Sequence, residues 1–165
     1  MNPLDVLRYG EATWQGALER IPPAEREREG VCGWWSVKQI VAHLASYEVL
    51  LEEILSGFTD TPIPVPLTTE LGTGGPYAFN DSQGGLRQTW SLDAVEQEYL
   101  AAHQRVLAVA QGVDPAIWSQ VGTLPWYGAD YALDDFIVYS FYGHKREHSA
   151  HLDVFADRLK EENRS

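Results

Sequence analysis

Three of the chain's five histidines fall within one stretch, Phe136-Ile-Val-Tyr-Ser-Phe-Tyr-Gly-His144-Lys-Arg-Glu-His148-Ser-Ala-His151-Leu-Asp-Val-Phe155, and that stretch limits the folds open to the whole. At about 100° per residue, His144, His148 and His151 lie within about 60° of one another on a helix, in the sector that also holds Ile137, Phe141, Leu152 and Phe155. Arg146, Asp153 and Asp157 fall in other sectors, so the histidine side is the one a packed helix buries. Burying imidazoles costs free energy unless their nitrogens find partners. One core histidine can use an ordinary hydrogen bond; three in a row ask for a common ligand.

The rest of the chain supplies helices for this one to pack against. Pro3 to about Arg20 repeats Leu4, Leu7, Trp14, Ala17 and Leu18 at helical spacing, and Pro22-Pro23 end the run. Ser36 and Gln39 form a capping box that opens a second helix, whose inner stripe is Ile40, His43, Leu44, Tyr47, Leu51 and Ile54. Lys38, Glu52 and Glu53 take its outer sectors. Phe58 to Trp90, with four prolines and five glycines and no sustained period, reads as a long loop with at most a short helix around Tyr77 to Arg87. Ser91 caps a third helix that ends before Gly112, with His103 read as a structural hydrogen-bonder. A second loop precedes a fourth helix from about Leu133 to Arg158.

Four amphipathic helices without alternating strand patterns predict an all-α, four-helix bundle with a long loop between helices 2 and 3. Both an up-down-up-down and an up-down-down-up order are open. The 165 residues, 44% apolar with six tryptophans and eight tyrosines, fit a single domain spanning 1–165. A net charge of -12 opposes binding to nucleic acid or to an anionic membrane surface. No stretch approaches the ~20 apolar residues of a membrane span, and the first residues lack a secretory pattern, so the expected location is the cytoplasm. Cys32 stands alone and reads as a small, semi-buried residue.

In a bundle, inward side chains of facing helices build ligand sites, so His43 and the i, i+4 pair His144 and His148 can converge on one divalent ion. Three neutral imidazoles suit zinc or nickel and leave positions open for water or substrate. His144-Lys-Arg-Glu147-His148 also matches the H-x-x-E-H string of inverted-motif zinc proteases, but only seventeen residues follow, too few for such a core.

Trp35-Ser-Val-Lys-Gln-Ile-Val-Ala-His43-Leu-Ala-Ser-Tyr-Glu48 resembles the W-S-x-x-[DQ]-x-[LV]-x-H-L-x-x-[WY]-E signature of the DinB-like (YfiT-like) superfamily of four-helix-bundle metalloenzymes. His144-x-x-x-His148-x-x-His151 is similar to its H-x-x-x-H-x-x-Q pattern, with His151 where relatives carry Gln. Phe79-Asn80, Trp90-Ser91, Ala102-His103 and Leu124-Pro125-Trp126-Tyr127-Gly128 are similar to the ClbS/DfsB branch. The resemblance implies a metal held by His43, His144 and His148. It also implies either a thiol-dependent transferase or isomerase, using a low-molecular-weight thiol, or a ClbS-like protein that hydrolyses or sequesters a toxic small molecule without metal.

The expected enzyme acts on a small electrophilic substrate, with Tyr47 as proton donor one turn beyond His43. Glu48, Asp134, Asp135 and Glu147 are the carboxylates available to orient imidazoles. Trp126, Tyr127, Phe79 and His151 are candidates for lining the substrate pocket. A binding protein without turnover and a purely structural bundle are the competing classes, and a homodimer suits all three.

Overall fold

The computed structural model describes residues 2–164, and among them helices and connections make up the fold; only isolated bridges, Cys32 with Trp35 and Val121 with Ala132, have β-type pairing. Helix α1 is Pro3–Glu19, and α2 is Val37–Ser56 behind the Ser36/Gln39 capping box. Helices α3, Pro66–Arg87, and α4, Leu92–Gln111, follow. After the short α5, Pro115–Trp118, comes one continuous rod made of α6, Leu133–Ile137, a π-helical turn at Val138–Tyr142, and α7, Gly143–Glu162.

Two apolar clusters fix the order of the bundle. One gathers Trp14, Ile40, Leu44, Val95, Leu152 and Phe155; the other gathers Leu7, Leu51, Ile54, Val106, Phe136 and Phe141. Going along the chain, α1 and α7 run from the second cluster to the first, and α2 and α4 run from the first to the second. The bundle is therefore up-down-down-up. Its principal packings are α2 on α4 and α1 on α7.

That order needs a crossover between the parallel α2 and α4, and α3 provides it. The expected long loop is thus corrected: Pro66–Arg87 is a helix docked antiparallel on α2, kinked where Gly75 adopts φ +75° ahead of Pro76. Its N-cap, Val65, has no side chain that can accept a hydrogen bond. Glu53 of α2 does this instead, its carboxylate accepting the N–H groups of Leu67 (3.1 Å) and Thr68 (2.8 Å) and the Thr68 hydroxyl (2.8 Å). Glu53 is buried, not outward as periodicity had it. At the far end, Arg87 forms a bidentate pair with Glu98 of α4.

Between the apolar clusters each of the helices α1, α2, α4 and α7 contributes a polar residue to one layer: Glu11, Glu48, His103 and Lys145. The Lys145 ammonium lies 2.8 Å from Glu48 and 3.1 Å from Glu11, and the Glu48 carboxylate is 2.9 Å from His103 Nδ1. Tyr99 donates its hydroxyl to Glu11. Burial alone would push the Glu48 carboxyl up, but the Lys145 charge and the His103 hydrogen bond outweigh it and hold Glu48 below the usual carboxylate range.

Candidate metal centre

The capping box sets the register of α2. Ser36 Oγ accepts the Gln39 N–H at 3.3 Å and Gln39 Oε1 accepts the Ser36 N–H at 2.8 Å, and two turns later His43 faces α7. There its Nε2 lies 2.8 Å from His144 Nε2, which is itself 3.1 Å from His148 Nε2. A ligand atom of each ring lies within 4.8 Å of the other two. The sequence-predicted triad thus comes together, from two helices that are 101 residues apart in the chain.

The chemistry of this donor set fits a cation. The Nε2 of His144 has one lone pair and faces two neighbouring Nε2 atoms, so it can accept a hydrogen from only one of them. A tetrahedral ion with bonds of ~2.0–2.1 Å spaces its nitrogens about 3.3 Å apart, close to the separations here. Burial, then the positive charge that His144 and His148 would carry, lowers the pKa of His43 to about 2; burial, then His144 and His151, lowers that of His148 to about 3. His144 is lowered as well, chiefly by burial. All three rings are therefore neutral at pH 7, the form that coordinates metal.

Tyr47 stands over this group, its ring 4.8 Å from that of His43 and 4.9 Å from that of His144. Its hydroxyl donates to Asn80 Oδ1 of α3 at 3.2 Å. Burial raises its pKa, so it remains a proton donor. A cavity of about 480 Å³ opens beside His43, between the start of α2 and the second half of α3, with Trp34, Trp35, Gln39, Asn80, Asp81 and Arg87 among its walls.

The four pocket candidates separate. Phe79 is fully buried behind Tyr47, 5.4 Å from its ring, and offers no open face. Trp126 and Tyr127 are not among the residues lining the cavity; they cluster on Phe136, two turns before His144. His151 stacks near His148, at 5.6 Å, on the side of Cys32. The carboxylates go elsewhere too. Glu48 is committed to the polar layer, Asp135 accepts the Ala132 N–H at 2.9 Å as a helix cap, and among the described residues no hydrogen bond joins Asp134 or Glu147 to a triad ring. Glu147 acts on His144 through its charge alone. His103 is the structural hydrogen-bonder expected of it.

Sequence reading missed Trp34, Asn80 and Arg87 as pocket walls. A pair of tryptophans directly before a helix cap was the available signal, because such residues pack over the first turn; in α3 the Phe79-Asn80 pair was the available one for Asn80.

A family model described as the DinB superfamily matches residues 7–152 of the chain. No curated protein and no solved structure matches it.

Proposed function

We propose, since this chain belongs to the DinB superfamily, that it is a metal-dependent enzyme: His43, His144 and His148 hold one divalent ion, zinc or nickel, and the cavity beside them admits a small electrophilic molecule. The single observation that carries this reading is the meeting of three neutral imidazole nitrogens whose two close contacts cannot both be hydrogen bonds. When bound, such an ion supplies Lewis acidity and a nucleophile, either water made acidic near pH ~7 or a thiolate.

The chain's own groups do the rest. The three rings fix the position of the nucleophile, since α2 is held in register by its capping box and the final rod by its packing on α1. Tyr47, its hydroxyl aimed by Asn80, delivers a proton to the oxygen or leaving group as charge develops there. Trp35, with its ring 5.1 Å from that of His43, shields the reacting atoms from bulk water, and the exposed Trp34 beside it gives an apolar substrate a flat surface. An electrophile entering past Trp34 meets the His43 side of the triad first.

The test combines elemental analysis with turnover. Purified protein is expected to carry at least about one zinc or nickel per chain, and His43→Ala and His148→Ala are each expected to carry about one equivalent less. Incubation with epoxide and maleyl-type electrophiles, with and without low-molecular-weight thiol, is expected to yield product only with metal present. A protein that is metal-free when purified from metal-supplemented medium, or that protects stoichiometrically without product, refutes the enzyme reading.

A further inference from the structure

His148 has a second nitrogen, and it points away from the triad. With Nε2 turned to His144, His148 Nδ1 is left buried and without a hydrogen-bond partner, in a side chain only 6% exposed. His151 Nδ1, one turn on, is also buried and unpartnered. Cys32 stands close to both rings. Its Sγ and one nitrogen each of His148 and His151 all lie within 4.8 Å of one another.

The placement of Cys32 is built rather than incidental. Gly33 adopts φ +59°, a backbone region that glycine enters without cost, and turns the chain back on itself. The turn is closed by the Trp35 N–H donating to the Cys32 carbonyl at 3.0 Å and the Val31 N–H to the Trp35 carbonyl at 2.9 Å. Cys32 and Trp35 pack on the first apolar cluster, which fixes the sulfur against α7. A plain packing role leaves the nitrogens unexplained: one thiol hydrogen can serve one of them, weakly, and the other stays an orphan in a buried place.

We propose that Cys32, His148 and His151 form a second cation site, suited to a borderline-soft divalent ion such as zinc, cadmium or cobalt(II), set against the triad and sharing His148 with it. A sulfur and two imidazoles are a borderline-soft donor set, and three protein ligands leave a coordination position for an outside ligand. As the ion binds, the Sγ–H bond breaks, its proton leaves to solvent and an Sγ–metal bond forms. A neutral His148 has one lone pair, so it serves one site at a time; serving both requires that it lose its remaining ring hydrogen and bridge the ions. The donor atoms, all within 4.8 Å of one another, close to the ~3.3–3.6 Å between donors around a tetrahedral ion as it binds.

The site does not depend on the triad being filled, and the test keeps the two apart. Metal-free full-length protein is titrated with cobalt(II) and, separately, cadmium(II), following the thiolate-to-metal charge-transfer absorption in the near ultraviolet. Wild type is expected to develop this band within two equivalents, Cys32→Ser to lack it while still taking up one equivalent, and His151→Ala to need at least ~10-fold more metal. His43→Ala, which cripples the triad, is expected to keep the band. Absence of the band from wild type while Cys32 still reacts with a thiol reagent overturns the site. So does a band of unchanged strength in His151→Ala, which would mark a cysteine binding metal by itself.

Discussion

Two polar clusters lie at the same level of the bundle and meet burial in different ways. In the layer of Glu11, Glu48, His103 and Lys145, carboxylates face an ammonium and a ring N–H, so donors and acceptors match without any added group. On the same stretch of α7, His144 and His148 join His43 in a group whose nitrogens cannot all be paired with one another. The contrast separates two uses of buried polarity: a self-satisfied layer holds four helices in register, whereas a group that cannot satisfy itself is kept for a ligand.

The largest effect expected from this contrast is on stability. Lys145→Met takes away the ammonium paired with buried Glu48 and half-buried Glu11 and should cost about 3–5 kcal/mol in urea unfolding of the metal-free protein. His43→Phe puts a slightly larger apolar ring in place of the imidazole and removes a competing nitrogen, so its metal-free stability should equal or exceed that of wild type. An equal loss in both variants would erase the distinction.

Zinc reverses the ranking of the two sites. At a free concentration 100 times the triad's Kd it should stabilise Cys32→Ser, which keeps the triad alone, by about 2.7 kcal/mol, and adding His43→Phe should remove this gain along with at least ~100-fold in affinity by calorimetric titration.

Acid separates the clusters by window. His43 and His148, held at about 2 and about 3 in the folded chain, take up protons on unfolding below their usual 6.5. Because the unfolded state then binds more protons, stability falls as pH drops from 6.5, by about 1.4 kcal/mol per pH unit for each ring. Glu48 is lowered from 4.5, so its contribution is present above that pH and is lost only below it. Between pH 6.5 and 4.5 the slope should therefore belong to the imidazoles and shrink by about 1.4 kcal/mol per unit in His43→Phe.

The smallest effect on stability is expected from Tyr47→Phe, which removes one hydrogen bond to Asn80 and should cost about 0.5–1.5 kcal/mol. Its zinc affinity should stay within about twofold of wild type, while turnover of an electrophile should fall ~10²–10⁴-fold, as for loss of a general acid.

What the sequence disclosed followed from local rules. The Ser36/Gln39 box and the i, i+4 spacing of His144 and His148 each announce themselves within a few residues, and the stripe on α2 places His43 inward. What it concealed was decided between helices. The glycines of α3 break any helical period, and the cap that starts that helix is Glu53, on a different helix and thirteen residues before Pro66. Glu11 and Lys145 look like surface charges until four helices bring them together. Trp126 and Tyr127 resemble pocket residues in one dimension, but their rings find Phe136 first.

The π-helical turn at Val138–Tyr142 has its own consequence for the final rod. Such a turn accommodates one extra residue, which rotates everything after it by roughly 100° relative to an unbroken α-helix. Leu133, Phe136 and Ile137 can thus face the apolar floor while His144 and His148 swing toward α2, on the same rod. Deleting Ser140 would smooth that rod and misalign its halves: either the floor keeps its anchors and the imidazoles turn away from His43, or the reverse. A single residue of length acts here as the gear that couples one end of the helix to the other.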